Sequence, residues 1–149
     1  MASGDIVAIQ DADLGYGPAD MVMFFNILKD RDIEVIYGDR FSFDYKTPLW
    51  HKMGNKLLSA FSSLFYFYWI RDMETCYKIM YCQHWLSLNL KSDRFEVEAE
   101  ITAKILKKRY RFYQHPIKYR FRGYGEGKKI SYKDGLRSIY VRFKYRFKY

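Results

Sequence analysis

Asp5-Ile-Val-Ala-Ile-Gln-Asp11-Ala-Asp13-Leu-Gly-Tyr-Gly-Pro18 is the stretch on which the reading of the whole sequence turns. Ile6 to Ile9 is an unbroken apolar run rich in β-branched residues, the composition of a strand buried on both faces of a parallel sheet. Such a strand would deliver Asp11 and Asp13 to its carboxyl end, the edge at which open α/β sheets bind ligands. Paired hard oxygens there suit a divalent cation carrying a phosphate. Asp-x-Asp is equally the composition of a solvated acidic turn, so the pair needs context.

Working outward, Pro18 suits a first helical position, and Met21, Phe24, Phe25 and Leu28 recur at helical spacing, which predicts a core-facing helix of about three turns. Asp32 to Tyr37 reads as a second strand ending at Gly38-Asp39-Arg40. A parallel, right-handed β-α-β unit is expected from these parts. Past a polar aromatic loop closed by Pro48, the residues Trp50, Met53, Leu57, Phe61, Leu64 and Tyr68 keep a helical period. Core packing accounts for that stripe, and a surface offered to lipid or to a second chain is the sharper alternative. Arg71 to Lys78 mixes charges of both signs and reads as a loop leading into a strand.

Ser92-Asp93 can cap a helix that opens with Glu96, Glu98 and Glu100 and closes with Lys104, Lys107, Lys108 and Arg109, an order that complements the helix macrodipole. Residues 111–122 alternate apolar and basic side chains, as a partly exposed strand does. Ser131-x-x-Asp134 starts a final helix with Leu136, Ile139, Tyr140, Phe143 and Phe147 expected on its core side.

Composition bounds the function. The chain has 149 residues, 49% of them hydrophobic and 20% aromatic, which is ample for a packed α/β core and excludes wholesale disorder. Its formal charge of +9 is uneven: residues 1–75 carry 7 Lys/Arg against 11 Asp/Glu, and residues 76–149 carry 19 against 6. The two halves are therefore expected to meet different partners. Two cysteines make no disulfide framework, the amino end has no signal-peptide pattern, and the longest apolar run, Leu57 to Ile70, is too short to span a bilayer. A cytoplasmic setting is the expectation.

The motifs Gln10-Asp-Ala-Asp-Leu14, Tyr37-Gly-Asp-Arg-Phe41, Trp50-His-Lys-Met-Gly-Asn-Lys-Leu-Leu58, Asp72-Met-Glu-Thr-Cys-Tyr-Lys78 and Glu126-Gly-Lys-Lys-Ile130 followed by Lys133-Asp-Gly135 stand in the order found in family 2 glycosyltransferases. Within that family the chain most resembles the polyprenyl-phosphate sugar synthases, such as dolichyl-phosphate mannosyltransferases, from residue 2 to about residue 140. The resemblance implies a nucleotide-sugar donor bound in a GT-A, Rossmann-like domain. Mg²⁺ or Mn²⁺ would be held by Asp11 and Asp13 against the diphosphate. Arg40 matches the family's strand-end arginine. Arg122 and Lys128 bracket a phosphate-side loop in which Gly127 replaces the usual serine. A polyprenyl phosphate acceptor is already anionic near neutral pH, so inverting attack needs no strong base, and Asp72 is expected to orient rather than to take a proton.

The family's Tyr-Asn-Glu strand and Asp-Asp-Gly-Ser turn, which hold the donor's base and ribose, have no counterpart here. The expected architecture is therefore a partial GT-A domain over residues 1–130, lacking the family's first half, with a basic aromatic helix over residues 131–149. A second chain supplying that half, and peripheral attachment at the cytoplasmic face of a membrane, are the expected partnerships. Two other classes compete. Residues 107–149 hold 15 Lys/Arg interleaved with Phe and Tyr, against Glu126 and Asp134, and could engage single-stranded nucleic acid. Cys76, Cys82, His84 and His115 could bind a metal, although their spacing is not that of a zinc site.

Overall fold

The structure, a computed structural model, describes residues 4–11, 15–30, 32–42, 48–93, 96–120 and 132–147. Among these are four strands, β1 (Ile6–Ile9), β2 (Val35–Asp39), β3 (Lys78–Tyr81) and β4 (Phe112–Pro116). The helices are α1 (Ala19–Asp30), α2 (Leu49–Tyr66), α3 (Cys82–Ser87), α4 (Glu96–Lys108) and α5 (Tyr132–Phe147). The class is α/β, with one mixed sheet in the order β1-β3-β2-β4.

The sheet departs from the expected parallel unit. β1 and β2 run the same way with α1 between them in sequence, but β3 lies between them in space and is antiparallel to both. The parallel partner of β2 is β4, in the register Val35↔Phe112 to Asp39↔Pro116. β1 is correspondingly an edge strand, half-buried rather than enclosed on both faces. The physical reason is burial: Ile79 and Met80 of β3 are both buried, one on each face of the sheet, whereas Ala8 of β1 is exposed. A strand that is apolar on both faces gains most from an interior position.

The ladder also fixes which way β1 presents its backbone. The Cys82 amide donates to the Asp5 carbonyl at 2.7 Å, so the Asp5–Cys82 pair is hydrogen-bonded. By the alternation of antiparallel pairing, Val7 and Ile9 direct their backbone groups at β3 and Ile6 and Ala8 direct theirs at the open side.

α1 covers one face of the sheet through Phe24 and Leu28, which pack with Ile36, Tyr77, Ile79 and Ile117. α4 covers the other through Ile101 and Ile105, against Val35, Tyr37 and Met80. α5 lies on α4, where Val141 and Tyr145 meet Ala99 and Ala103. α2 closes this side through Leu58 and Tyr66, near Ile70, Met73 and Leu106.

Two of these helices are turned relative to their expected orientation. In α2 the buried positions are Ser59, Ser62 and Ser63, while Leu49, Met53, Leu57 and Leu64 face outward, Leu49 at 78% exposure. In α5 the inward residues are Ser138, Val141, Arg142 and Tyr145, with Tyr140, Phe143 and Phe147 exposed. What draws the polar faces inward is a set of buried partners. The Ser62 hydroxyl donates to the Leu58 carbonyl at 2.9 Å, and the Ser63 hydroxyl accepts the Ile70 amide at 3.0 Å. Arg142 pairs with Glu74, and Ser138 donates to the same carboxylate at 3.0 Å. Tyr66 hydroxyl donates to the Arg142 carbonyl at 2.8 Å, tying the two helices together.

Glu100, expected to complement the helix dipole, is fully buried. It accepts the backbone amides of Lys91 and Ser92 and pairs with Lys104, anchoring the segment that leads into α4. Burial alone would raise its carboxyl. The Lys104 ammonium, the Ser92 side chain and the Ser92 and Lys91 amides outweigh that and hold it at about 2, against an ordinary 4.5. A carboxyl depressed in the folded state contributes stability above its unfolded value, and this is lost as pH falls toward the folded one. Urea midpoints should therefore drop between pH 5 and pH 2, and Glu100→Gln should lower stability at neutral pH by about 1–3 kcal/mol while flattening that dependence.

Candidate active site

β1, β2 and β4 all end on the same side of the sheet, and the loop that enters antiparallel β3 begins there. This convergence of carboxyl ends is where α/β sheets carry ligand sites. Four segments meet at it: Gln10–Asp11 with Gly15–Gly17 after β1, Asp39–Phe41 at the end of β2, Arg71–Tyr77 before β3, and Ile117–Tyr119 after β4.

At the centre is an ion pair. Arg40 Nε donates to Asp72 Oδ2 at 2.7 Å, Arg40 Nη2 to Asp72 Oδ1 at 2.8 Å, and the Arg40 amide to Oδ2 at 3.1 Å. Both side chains are buried. Burial opposes the charge on Arg40, but the Asp72 carboxylate beside it prevails, and the guanidinium is held charged more firmly than usual. Its faces are taken by aromatic rings, with Tyr119 at 5.2 Å and Phe41 at 5.5 Å. Bidentate geometry and stacking are what a guanidinium offers and an ammonium does not.

Tyr16 extends the cluster toward β1. Its hydroxyl accepts from Arg40 Nη1 and from the Cys76 amide, its ring stacks on Tyr77 at 4.4 Å, and it bridges to Tyr119. Burial, the Asp11 hydrogen bond and neighbouring carboxylates push the Cys76 thiol up to about 12, so it stays protonated near neutral pH. A chain of contacts therefore runs from the Cys76 amide through Tyr16 to Arg40 and Asp72, with the Asp11 carboxylate near enough to Cys76 to raise its thiol.

Asp39, adjacent to the pair, spends its carboxylate locally: it accepts the Phe41 amide at 2.9 Å and the Ser42 hydroxyl at 2.6 Å. Arg71 Nη1 stands 3.8 Å from Asp39 with its side chain 57% exposed. Gly38 keeps the site closed beneath, because a Cβ there would come within 2.6 Å of Ile117 Cδ1 and 3.0 Å of Tyr77 Cβ.

Of the residues singled out from sequence, Asp11, Arg40 and Asp72 are thus brought into one corner. Asp13, Arg122 and Lys128 lie outside the described residues. The alternative metal set does not assemble: among the described residues no three His, Cys, Asp or Glu side chains are grouped as a metal site. Cys76 and Cys82 flank opposite ends of β3, His84 lies against Tyr110, and His115 packs edge-on to Phe24. In the basic carboxyl-terminal part, Arg142 is occupied by Glu74, Arg146 Nε donates to the Phe65 carbonyl, and Arg111 pairs with Asp32 and Glu34.

No family model matches the chain. Over 140 residues, 91% of its length, it is 27% identical to the low-salt glycan biosynthesis hexosyltransferase Agl6 of Haloferax volcanii. This distant similarity suggests a glycosyltransferase. The chain spans only 34% of that relative's length.

Several residues that build this corner are ones that sequence reasoning missed. Tyr16, Tyr119 and Asp39 build the surroundings of the Arg40–Asp72 pair, together with Cys76, which the sequence offers only as a metal ligand, and Arg71 is an exposed cation beside Asp39. Arg40 within the Tyr-Gly-Asp-Arg-Phe run is the available signal for Asp39, its neighbour. The tyrosines carry no motif and are found only by the contacts they make.

The hydrogen bonds make Arg40 and Asp72 interdependent. Removing either partner alone strands a buried charge, which costs about 3–5 kcal/mol. Asp72→Ala and Arg40→Ala should each destabilise by that order and the double variant by much less than their sum, as read from a double-mutant cycle in urea.

Proposed function

We propose that the chain forms part of an inverting, metal-dependent glycosyltransferase that moves a hexose from a nucleotide-sugar donor to a polyprenyl phosphate at a membrane surface. The observation that carries the reading is the convergence of Asp11, the Arg40–Asp72 pair and Arg71 at the carboxyl ends of β1 and β2, in a chain similar to a hexosyltransferase.

In this reading the donor diphosphate lies beside Asp11. Asp72 and Asp39 are committed to internal hydrogen bonds, which leaves Asp11 as the hard oxygen ligand among the described residues, with Asp13 as the second. One or two carboxylates together with substrate phosphates fit Mg²⁺ or Mn²⁺. Asp11 and Asp13 would hold such an ion, which when bound would neutralise charge on the departing nucleoside diphosphate. Arg122 and Lys128 add fixed positive charge on the phosphate side. Arg40 and Asp72 act as positioning residues: paired to each other, they hold the loop before β3 against the end of β2. In the transfer, an acceptor phosphate oxygen attacks the anomeric carbon, the bond from that carbon to the diphosphate oxygen breaks, and the nucleoside diphosphate leaves with the electron pair. The acceptor is already an anion, so no side chain has to remove a proton.

The acceptor side is supported by the turned helices. The outward apolar faces of α2 and α5 join through Phe65 and Phe143, whose rings meet edge-on at 5.9 Å. At the end of α2, Phe67 adopts a left-handed backbone (φ 54°) while 86% exposed, an arrangement unfavourable in water for a bulky apolar residue. Trp69 follows, also exposed, then Arg71. An apolar chain lying on Phe67 and Trp69 would bring its phosphate to Arg71, and aromatic residues followed by cations suit a membrane interface. No helix among the described residues is long and apolar enough to cross a membrane. The attachment proposed for this apolar face is peripheral, at the cytoplasmic face.

The test has two arms. Together with the part of the Haloferax relative that lies outside the matched stretch, the chain should transfer hexose from nucleotide sugars to a short polyprenyl phosphate. Chelation should abolish turnover, and Asp11→Asn should reduce it about 100-fold or more without shifting the unfolding midpoint. Turnover indifferent to both would overturn the metal reading. In flotation, the chain should rise with anionic vesicles, and Leu57→Glu with Leu64→Glu should abolish this; persistence in the double variant would remove the assignment of that face.

A further inference from the structure

β4 forms one edge of the sheet, and beside it runs residues 67–71, the irregular segment that leads from α2 to the Arg40–Asp72 pair. Hydrogen bonds tie this segment down on both sides. Towards α2, the Tyr68 amide donates to the Ser63 carbonyl at 3.2 Å and the Ile70 amide to the Ser63 hydroxyl at 3.0 Å. Towards β4, the Tyr68 hydroxyl donates to the Phe112 carbonyl at 2.9 Å. Gln114 supplies two further bonds: its Oε1 accepts the Arg71 amide at 2.6 Å, and its Nε2 donates to the Trp69 carbonyl at 2.9 Å. One side-chain amide thus takes the part that the peptide group of a neighbouring strand plays in a ladder. Ile70 is buried and Tyr68 is anchored by its hydroxyl, whereas Phe67, Trp69 and the Arg71 side chain stand exposed. The two groups that Gln114 grips flank Ile70, so the grip fixes the backbone between the last exposed aromatic ring and the cation. Cα atoms two residues apart span at most about 7 Å, and Gln114 decides where within that limit Trp69 and Arg71 stand. Protection of the edge does not require it, because Pro116 has no N–H to offer and Tyr68 already caps Phe112.

We infer that Gln114 is a positioning residue for a lipid-borne phosphate: by holding Trp69 and Arg71 at one separation, it lets an apolar chain lying on Phe67 and Trp69 deliver its terminal phosphate to the Arg71 guanidinium. The inference rests on the reading of Phe67, Trp69 and Arg71 as the acceptor seat, and it names what sets the geometry of that seat. Without the grip, Trp69 and Arg71 move independently. A ligand that touches both must then order the segment as it binds, which weakens binding. An apolar chain that carries no phosphate touches only the aromatic part and is indifferent to the grip.

The test uses the 149-residue chain and neutral phosphatidylcholine vesicles doped with either a short polyprenyl phosphate or the corresponding polyprenol. The parent chain should bind the polyprenyl phosphate vesicles about tenfold or more tightly. Gln114→Ala should cut that preference by about five- to tenfold while binding polyprenol vesicles as before. Its unfolding midpoint should be nearly kept and its Arg71 amide should exchange faster. Gln114→Glu supplies the rescue. Near neutral pH its carboxylate accepts from the Arg71 amide but cannot donate to Trp69, so the preference should fall. At about pH 4 the protonated carboxyl donates again, and the preference should return towards that of the parent at the same pH. Loss of binding to both kinds of vesicle in Gln114→Ala, or no recovery of Gln114→Glu at low pH, would mark a purely structural role and overturn the inference. So would a preference kept in Gln114→Ala but lost in Arg71→Ala, an outcome that leaves the acceptor reading standing. A parent chain that binds both kinds of vesicle alike would overturn the acceptor reading itself, and the inference with it.

Discussion

The bidentate contact between Arg40 and Asp72 joins the end of β2 to the loop that enters β3, two segments 32 residues apart in sequence. A buried ion pair holds one geometry far more strictly than apolar packing does, because any slippage leaves charge without a partner. The surroundings answer to that demand. Tyr16 and Tyr119 enclose the guanidinium, and Gly38 lets Ile117 close over the strand end. Asp39 turns its carboxylate back on its own loop. Polar groups satisfied in this way are costly to rearrange, which keeps this corner of the sheet in one geometry.

A second buried charge system lies on the opposite face. Lys78, wholly buried at the start of β3, pairs with Glu98 of α4 and stands over the Tyr37 ring at 4.7 Å. Burial works against its charge, and Glu98 with Tyr37 more than compensates, leaving the ammonium firmly protonated. Arg142 and Glu74 make a third such link, between α5 and the loop before β3. Residues 72–78 therefore carry one end of each of these three ion pairs. The segment is thus cross-linked electrostatically to three different elements, while Met73 and Tyr77 anchor it in the core.

Periodicity made some elements legible and misled on others, for one physical reason. α1 and α4 are amphipathic in the ordinary sense, and Phe24, Leu28, Ile101 and Ile105 fall inside as their spacing requires. In α2 and α5 the same rule points the wrong way, because it assumes that water is the outer medium and that polar side chains have no buried partners. Ser62, Ser63, Ser138 and Arg142 do have them, and those partners, Ile70, Met73 and Glu74, come from a stretch with no period to read. The edge position of β1 was equally hidden: an apolar run of four residues does not reveal which neighbours it will find. For the site, Asp11, Arg40 and Asp72 stood out as charged residues in ordered motifs, whereas Tyr16 and Tyr119 are ordinary in sequence and become notable only through tertiary contacts. Asp13, Arg122 and Lys128, prominent in the motifs, fall outside the described residues.

The place of β3 in the sheet has a consequence for synthesis of the chain. β1 leaves the ribosome more than 70 residues ahead of its partner strand, since Ile6 pairs with Tyr81 and Val7 with Met80. At translation rates of about 5–20 residues per second, its partner emerges roughly 4–15 s later. Throughout that interval Ile6-Val-Ala-Ile9 is an uncharged β-forming segment with both edges free, the kind that nascent-chain chaperones capture. Yield in the cell should consequently depend on how fast codons 10–81 are read, even where the finished fold is unchanged.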